Sequence, residues 1–315
     1  MPRISIITAL HNKGPYIAET IQSVLAQTMP DWEMIVVENG STDNGPEIVK
    51  QFSDARIRLV VSPKCGPGAA RNFGLGLTTG GWILFLDADD LLSLEYLHER
   101  LSAGAHFPDA QIIAGCWQEF SDGEKSRYEH RKPAGWGGDN ESILNSAIGS
   151  APWILHAALV RRDWLSPDRC WPELLDRLPS EDGAFWFRLL LGAKVAWSDH
   201  PGAIYRMATP LGRDHLRGND VRFRALKIVI EYNLDCLRLM GMSPNAVQRQ
   251  TLMRIFEEAY RKALSGNDRE TAATSLHEAE SWLKSCQSDN GAILLRKMLG
   301  LPLFNLIRFG KRKIW

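Results

Sequence analysis

The chain has 315 residues, 37 of them basic and 37 acidic, and 44% of its residues are hydrophobic. This composition is typical of a globular protein, and it argues against a disordered chain and against a general nucleic-acid binder. The five cysteines are scattered and form no CxxC pair, so neither a disulfide framework nor a thiolate zinc site is indicated. A chain of this length predicts one large domain with an appendage, or two domains.

The N-terminal sequence favours a cytoplasmic location. An apolar strand begins at Ile4, without the basic start and long apolar core of a signal peptide. No apolar run approaches the roughly 18–20 residues that are needed to span a bilayer. We therefore expect a protein that is made and kept in the cytosol.

Four short apolar runs alternate with segments of helical periodicity over about the first ninety residues. The predicted strands are Ile4–Ile7, Met34–Val37, Ile57–Val61 and Trp82–Leu86. This alternation predicts an α/β fold with a parallel, doubly wound sheet. Polar clusters follow several of the strands, at the edge where ligands of such sheets bind.

Three carboxylates, Asp87, Asp89 and Asp90, directly follow the fourth predicted strand. Like charges this close repel one another, and a folded chain usually keeps them because a cation or a hydrogen-bond network offsets the repulsion. Carboxylate oxygens suit Mg²⁺ or Mn²⁺, especially where substrate phosphates complete the site. The alternative is a solvated turn in which Asp90 or Ser93 caps the next helix, and the residues alone leave both interpretations open.

The pattern changes after Gln111. Ile112–Trp117 is a predicted strand, and residues 121–138 are polar and glycine-rich, which indicates an exposed loop or hairpin. Glu181–Leu191 is a predicted amphipathic helix, and beyond Asp220 one amphipathic helix follows another. The sequence thus predicts a first domain over residues 1–219 and a helical C-terminal region over residues 220–315.

The last segment, Ala292–Trp315, combines six basic residues with leucine, isoleucine, phenylalanine and tryptophan, and it contains no acid. This combination is typical of an interfacial helix on anionic lipid, which would make the protein peripheral on the inner face of the cell membrane. The alternative is a helix that docks on the core with its basic side in water. The sequence does not decide between the two.

Five segments of the first ninety or so residues resemble glycosyltransferase family 2, a large group with the GT-A fold, in their order and spacing. They are Ser5–Lys13, Thr20–Thr28, Val37–Asp43, Gly68–Gly74 and Gly81–Asp90. A looser similarity continues to Ser180–Leu189 and to Tyr205-Arg206, so the resemblance covers roughly two thirds of the chain. It implies a GT-A-like, doubly wound and mostly parallel sheet flanked by helices, with the helical C-terminal region as an appendage outside the similarity.

The same resemblance implies an activity. It is that of an inverting, metal-dependent glycosyltransferase, which moves a sugar from a nucleotide-diphosphate sugar to a hydroxyl of a glycan or lipid-linked acceptor. Cell-surface polysaccharide synthesis is the setting that the family suggests, and uridine is the default base. Mg²⁺ or Mn²⁺ would stabilise the charge that develops on the departing diphosphate.

The family motifs assign the donor side of the site by position. Asp87 and Asp89 form the DxD motif, in which Asp89 would bind the metal directly and Asp87 would act through the ribose or a metal-bound water. The implied contacts to the donor nucleotide are Ala9, Glu38, Asn39, Arg71, Asp87 and Ala88. Arg71 has an alternative structural role, a salt bridge to Glu38 or to an acid of the Asp87 cluster.

Two positions depart from the family pattern. Asn39 stands where the family usually has a second acid that contacts the base, and an amide both donates and accepts hydrogen bonds. A turn role before Gly40 is the alternative for Asn39. Ala208 stands where many members have a histidine near the metal and phosphates.

Glu181 and Asp182 are the predicted acceptor-side acids. Their place at the start of an amphipathic helix is explained by the helix macrodipole alone. The resemblance implies instead that Asp182 is the catalytic base and that Glu181 orients the acceptor or the base. Trp153 and His156 precede this pair at a family-like distance and are predicted to line the acceptor pocket, although tryptophans are more often core residues.

Two further functions remain open from the residues. A nucleotidyltransferase would favour a nucleoside triphosphate over a nucleotide sugar, and a non-catalytic protein would bind the nucleotide sugar without transfer. A Rossmann dehydrogenase is disfavoured because the first βα turn lacks GxGxxG.

Overall fold

The computed structural model describes residues 3–121, 128–176, 178–207, 218–287 and 291–309. Two compact units are present. The first comprises Met1–Ile143 and Ala151–His215, and the second comprises Leu144–Ser150 and Leu216–Trp315. The assignment of separate domains, with a boundary after residue 219, stays a prediction.

A mixed β-sheet forms the centre of the first unit. Its strands are β1 (Ile4–Leu10), β2 (Trp32–Glu38), β3 (Ile57–Val61), β4 (Trp82–Phe85), β5 (Leu91–Leu92), β6 (Ile112–Ser121), β7 (Glu129–Arg131), β8 (Ala158–Arg161) and β9 (Val195–Met207). They lie in the order β3-β2-β1-β4-β8-β6-β9-β5, and β7 pairs with β6. The four predicted strands form its parallel part, and their order places β1 between β2 and β4.

The second half of the sheet is mixed in direction. β8 runs antiparallel to β4 and β6, whereas β9 runs parallel to β6 with a register shift between Gly115 and Trp117. The predicted hairpin is present as β6 and β7, and residues 122–127 lie outside the described residues. β9 is a 13-residue strand that the sequence did not indicate, because Pro201 and Gly202 interrupt its apolar pattern.

The first unit also contains helices. They are α1 (Gly14–Leu25), α2 (Gly45–Val49), α3 (Pro67–Gly76), α4 (Tyr96–Ala105), α5 (Asn140–Ala147, which continues into the second unit) and α6 (Glu181–Leu190). In α1, Ile17, Ile21 and Val24 recur at helical spacing and are fully buried. Each such side chain contributes about 1.5–3 kcal/mol when it is removed from water.

The second unit is helical. Its main helices are α7 (Asn219–Leu239), α8 (Ala246–Ser265), α9 (Arg269–Ser285), α10 (Gly291–Leu299) and α11 (Leu301–Phe309). Asn245 and Gln248 form a capping box at the start of α8, which satisfies backbone N–H groups that would otherwise lack partners. In the parts of the chain that the structure describes, no helix is both long and apolar enough to cross a membrane.

The C-terminal helices dock on α8. Ile293, Leu301 and Phe304 are buried, and the Arg296 guanidinium pairs with Glu257 of α8 at 3.1 Å. α10 and α11 thus pack on α8 as the docked alternative expects, but Arg296 faces α8 and not water. Contact of the tail with a membrane stays a prediction. Residues 310–315, with three of the six basic residues of the tail, lie outside the described residues.

Candidate active site

The carboxyl ends of β1, β2 and β4 lie side by side. Leu10 pairs with Glu38 across β1 and β2, and Ile7 pairs with Phe85 across β1 and β4. Because parallel strands end at one edge of the sheet, the loops that follow them converge there. These loops and strand ends carry most of the predicted donor-binding residues: Ala9, Glu38, Asn39, Asp87 and Ala88.

The turn after β2 is held by its own polar side chains. The Glu38 carboxylate accepts hydrogen bonds from the Ser41 N–H at 2.5 Å and from Ser41 Oγ at 2.8 Å. Asn39 is buried, and its Oδ1 accepts a hydrogen bond from the Gly66 N–H at 3.1 Å. Both residues thus hold the loops around the site in place. The amide nitrogen of Asn39 is the group that could still donate a hydrogen bond to a nucleobase.

Asp87 is paired with Arg71. Arg71 Nη2 donates to Asp87 Oδ1 at 2.8 Å, which is the salt bridge that the sequence offered as an alternative role for this arginine. The arginine side chain is 6% exposed, whereas that of Asp87 is 36% exposed. Below the guanidinium lies the indole ring of Trp171, with 4.2 Å between Cζ and the ring centroid. The geometry leaves the Asp87 carboxylate as the solvent-facing end of this pair.

Arg71 also reaches the second acidic pair. Its Nη1 atom lies 3.7 Å from Glu181 Oε1, and both side chains are 6% exposed. The Trp171 ring, which contacts the Arg71 guanidinium, stacks on Phe185 of α6 with 3.9 Å between ring centroids. Two acidic motifs from different parts of the sequence therefore meet at one buried arginine.

Asp182 follows Glu181 in the first turn of α6 and is partly exposed to solvent. Its pKa is raised to about 7, first by burial and then by the neighbouring Glu181 carboxylate, while Arg71 opposes the shift. A carboxyl group with such a pKa exchanges a proton near neutral pH, as a general base must.

Ser180 holds the start of α6 in an uncommon conformation. It has φ of +64° in the left-handed region, which non-glycine residues adopt rarely. Such conformations occur where the surrounding structure fixes them, often at functional sites. Ser180 directly precedes the acidic pair, so its backbone sets the direction in which the side chains of Glu181 and Asp182 point.

Asp89 contacts a different cation. Lys13, in the loop between β1 and α1, forms an ion pair with its carboxylate. The backbone of Asp89 is also fixed, because Arg206 Nε donates to its carbonyl oxygen at 2.8 Å. Arg206 is 3% exposed and pairs with Glu19 of α1 at 2.7 Å, which joins β9 to the loop after β4.

Asp90 lies in the interior and is not part of the accessible cluster. Its side chain is 1% exposed, its pKa is well above the ordinary value because of burial and the carboxylates of Asp89 and Asp87, and it accepts the Arg206 N–H at 2.8 Å. The next helix, α4, begins at Tyr96 with Glu95 as its N-cap. The alternative of a solvated turn with Asp90 or Ser93 as cap is therefore wrong.

Trp153 and His156 are interior residues. Trp153 is 3% exposed and contacts the rings of Trp186 and Trp197, while His156 is fully buried with its Nδ1 atom 3.3 Å from Asp90 Oδ2. Burial lowers the pKa of His156 to about 4, so the imidazole is neutral. Neither side chain presents a surface to a sugar, and we do not propose the predicted acceptor role for them.

The model described as glycosyl transferase family 2 matches residues 5–178, more than half of the chain. The chain belongs to glycosyl transferase family 2. This confirms the resemblance drawn from the five sequence motifs. The match spans the strand ends, Arg71 and the Asp87 loop, and it stops just before Glu181 and Asp182.

Curated relatives of this family 2 chain match about two fifths of it. The glycosyltransferase GlyA of Streptococcus pneumoniae is 32% identical over 130 residues, which cover 41% of this chain and 18% of the relative. The uncharacterized glycosyltransferase EpsJ of Bacillus subtilis is 36% identical over 125 residues, 39% of this chain and 36% of the relative. The chain thus spans less than half of the length of these relatives.

Solved structures resemble this family 2 chain over most of its length. S. aureus TarS 1–349, in complex with UDP-GlcNAc, has a TM-score of 0.60 and 17% identity, and covers 91% of this chain and 93% of its own. The mannosyltransferase PcManGT from Pyrobaculum calidifontis, in complex with GDP-Man and Mn²⁺, has a TM-score of 0.55 and 18% identity, and covers 99% of this chain and 85% of its own. At this identity the likeness shows the fold, which confirms the predicted GT-A-like architecture with C-terminal helices.

Several residues of the site in this family 2 chain were not singled out by sequence reasoning. Lys13, Trp171 and Asp176 each contact a motif residue, yet they come from loops that carry no periodicity. A signal was available for Lys13, which ends the first family-like segment. Ala208 lies outside the described residues.

Proposed function

We propose that this chain is an inverting glycosyltransferase. Its donor would be a nucleotide-diphosphate sugar, with a UDP-sugar as the first candidate, and its acceptor a hydroxyl of a glycan or of a lipid-linked sugar. One observation carries the proposal: Arg71 lies 2.8 Å from Asp87 and 3.7 Å from Glu181, so the donor-side and acceptor-side acids share one site. A transfer reaction requires this proximity, because the acceptor must attack while the donor bond breaks.

The donor-side residues suit a divalent cation that arrives with a diphosphate. No group of three His, Cys, Asp or Glu side chains able to hold a metal ion occurs in the described part of the chain. Asp87 and Asp89 nevertheless provide two carboxylates in one loop, and a Mg²⁺ site commonly uses one or two protein carboxylates and completes its shell with phosphate oxygens. These two acids would hold Mg²⁺ or Mn²⁺, and the ion, when bound, would neutralise charge on the departing diphosphate.

Arg71 supplies fixed positive charge beside that position. Its guanidinium is buried, is supported by the Trp171 ring, and already donates to a carboxylate at the edge of the site. A buried, preorganised cation stabilises developing negative charge more strongly than one in water. Arg71 would therefore contact a donor phosphate or a carbonyl edge of the base.

Asp182 would act as the general base. It would take the proton of the acceptor hydroxyl as that oxygen attacks the anomeric carbon, while the bond from this carbon to the diphosphate oxygen breaks. A single displacement of this kind inverts the configuration at the anomeric carbon. Its pKa of about 7 makes Asp182 ionised in a large fraction of molecules near neutral pH. Glu181, held by Arg71, would orient the acceptor or the base.

The relatives support a role in polysaccharide synthesis. They include a putative teichuronic acid biosynthesis glycosyltransferase, TuaG of Bacillus subtilis, 39% identical over 103 residues, and the succinoglycan biosynthesis protein ExoO of Rhizobium meliloti, 36% identical over 113 residues. We therefore place the proposed acceptor among growing surface glycans or their lipid-linked precursors, at the cytoplasmic side.

A ligand screen tests the proposal. Thermal unfolding of the chain would be measured with UDP-, GDP- and dTDP-sugars and with the free nucleoside triphosphates, each with and without Mn²⁺. A ligand that binds the folded state raises the unfolding temperature, and we expect the largest rise with one UDP-sugar plus Mn²⁺. Stabilisation by a nucleoside triphosphate and by none of the sugars would support a nucleotidyltransferase instead.

A further inference from the structure

Residues 171–176, which lie between β8 and α6 in the chain, are bound to α3 by an amide side chain. Asn72 Oδ1 accepts the Trp171 N–H at 2.9 Å, and Asn72 Nδ2 donates to the Trp171 carbonyl oxygen at 3.0 Å. Nδ2 also donates to Glu173 Oε1 at 3.2 Å. Because an amide is both a donor and an acceptor, one side chain pairs with both backbone groups of Trp171. Asn72 therefore fixes the position of that residue relative to α3.

A second contact joins residues 171–176 to the start of α3. The Asp176 carboxylate accepts the backbone N–H groups of Gly68 at 2.8 Å and of the next residue at 2.9 Å. These two residues precede Arg71 in α3, and Asn72 follows it directly. The segment is thus bound to α3 on both sides of Arg71 in the sequence.

The ring of Trp171 connects α3 with α6. Its centroid lies 4.2 Å from Arg71 Cζ, and the ring stacks on that of Phe185 with 3.9 Å between centroids and 9° between planes. Trp171 is 2% exposed. Phe185 lies one turn after Glu181 in α6, and the Glu181 carboxylate is 3.7 Å from Arg71 Nη1. The indole contacts the arginine and the helix of the acid together, so its position sets the distance between these two charged groups.

A cavity borders the contact between Asn72 and residues 171–176. Its volume is about 890 Å³, and Asn72, Cys170 and Glu173 are among the residues that line it. Close-packed neighbours resist the displacement of a side chain, and a cavity offers no such neighbours. We therefore expect the hydrogen bonds of Asn72, rather than packing, to hold Trp171 on the side of the cavity.

We propose that Asn72 is a positioning residue of the active site. Through its two hydrogen bonds to the Trp171 backbone, it holds the indole between Arg71 and α6 and thereby sets the distance from Arg71 to Glu181. The hydrogen bonds of its side chain go to Trp171 and Glu173, so it acts on the guanidinium through the indole. The inference rests on the proposed function, because this distance matters for sugar transfer, but the position of the indole can be measured without transfer.

Fluorine NMR of the full chain labelled with 5-fluorotryptophan tests the first step. The chain has 11 tryptophans, and the Trp171 signal is identified by its absence in Trp171→Phe or in Trp171→Tyr. We expect Asn72→Ala to shift or broaden this signal, because the Trp171 backbone loses the partners that the amide supplies. An unchanged Trp171 signal in Asn72→Ala would overturn the proposal.

Gln111→Ala is the matched control. Gln111 Nε2 donates to the Asp109 carbonyl oxygen at 2.8 Å, and its Oε1 accepts the Lys194 N–H at 2.7 Å. Its loss thus removes one donated and one accepted backbone hydrogen bond, as the loss of Asn72 does. We expect both variants to melt at similar temperatures below that of the parent. The Trp171 signal should change in Asn72→Ala and stay that of the parent in Gln111→Ala, which separates positioning from a general loss of stability.

Transfer kinetics test the second step, with Mn²⁺ and the UDP-sugar that most raises the unfolding temperature. We expect kcat/KM to fall about 10- to 100-fold in Asn72→Ala, since a displacement of about 1 Å has an effect of this size. Gln111→Ala should keep the kcat/KM of the parent. In the Arg71→Lys background the effect of Asn72→Ala should shrink, because the amide acts through this guanidinium.

Two kinetic results would overturn the positioning role. One is the kcat/KM of the parent in Asn72→Ala, and the other is additive effects of Asn72→Ala and Arg71→Lys. Absence of transfer by the parent with every nucleotide sugar would count against the proposed function instead. The Trp171 signal would then decide the proposal on Asn72 by itself.

Discussion

Glu181 Oε1 lies 3.7 Å from Arg71 Nη1, so an acid at the start of α6 faces a base of α3 within one buried site. The same guanidinium donates to Asp87 at 2.8 Å. In the described part of the chain, Arg71 Nη1 is a buried nitrogen without a hydrogen-bond partner. A buried donor of this kind is costly unless a ligand uses it. The position of Arg71 is thus suited to an anionic group between the two acidic pairs.

Replacement of Arg71 by lysine tests this position. Lysine keeps the charge but has no planar fork, so it cannot serve Asp87 and a phosphate together. We expect Arg71→Lys to weaken UDP-sugar binding about 10- to 100-fold, the range for loss of a hydrogen bond to a charged group. Calorimetric titration would measure it. Arg58→Lys, on the exposed side of β3, serves as the control and should bind as the parent does.

Asp182→Asn should separate binding from transfer. An amide cannot take a proton from the acceptor hydroxyl, so we expect kcat to fall about 10²- to 10⁴-fold while donor affinity stays within the range of the parent. Product formation by mass spectrometry and a calorimetric titration would give the two quantities. A variant that transfers at the parent rate would show that another residue is the base.

The pH dependence of transfer should follow the ionisation of Asp182. Its pKa is raised to about 7 by burial and by Glu181, so the carboxylate form is lost as pH falls below 7. We expect kcat/KM in the parent chain to decline on the acidic side with a midpoint near this value. A flat profile between about pH 5 and 8 would contradict the assignment.

The same shift has a consequence for stability. A carboxyl whose pKa rises from 3.8 to about 7 on folding contributes stability that is fully present below about pH 3.8 and is lost as pH rises through 7. Asp182→Asn removes the charge that the fold disfavours. We therefore expect the variant to melt above the parent at pH 8 and to lose this advantage at pH 5. Asp31→Asn, which removes a carboxylate from the exposed surface, serves as the control.

Much of the fold followed from local patterns, since continuous apolar runs that alternate with helices specify a parallel sheet. The four strands of the first ninety or so residues and α6 were obtained in this way. β9 was missed because Pro201 and Gly202 break its alternation, and its 13 residues are held by pairing with β6. Strand pairing over such a distance in sequence is a tertiary property that local periodicity does not encode.

The site was predicted only in part, because its contacts are also a tertiary property. Motif residues on strand ends could be placed by topology, but their partners come from loops. Trp171 supports Arg71, and Lys13 pairs with Asp89, and only the folded chain brings these residues together. The interior position of Trp153 likewise depends on its contacts with Trp186 of α6 and Trp197 of β9, and that of His156 on its contact with Asp90, none of which spacing in sequence reveals.

Lys13→Met should raise the affinity of the free chain for Mn²⁺. The Lys13 ammonium is paired with Asp89, one of the two acids proposed to hold the ion, and it therefore competes with a metal for the carboxylate. Without the Lys13 ammonium, less positive charge offsets the negative potential of Asp87 and Asp89. Electron paramagnetic resonance of free Mn²⁺ would measure the change in the absence of donor. Lys50→Met is an exposed control, and unchanged or weaker Mn²⁺ binding in Lys13→Met would refute the competition.

Asp176 joins the loop before α6 to the start of α3. Its carboxylate accepts the N–H groups of Gly68 at 2.8 Å and of Ala69 at 2.9 Å, where a side-chain acceptor satisfies free backbone donors of a helix. A Cβ on Gly68 would lie 2.2 Å from Asp176 Oδ1, so this glycine is needed for the contact. The contact holds the two segments that carry Arg71 and the acidic pair at a fixed distance.

We expect Asp176→Ala to lower the free energy of unfolding by about 1–2 kcal/mol, the cost of losing a helix cap. The KM for the donor should rise as well, because the start of α3, which carries Arg71, is no longer held by Asp176. Asp176→Asn keeps one acceptor oxygen, so its free energy of unfolding and its KM should lie between those of the parent and of Asp176→Ala. Gly68→Ala should destabilise the parent but have a smaller effect in the Asp176→Ala background, where the clashing oxygen is absent. Denaturant unfolding of the four chains of this cycle would measure the coupling, and additive effects would show that the two residues act independently.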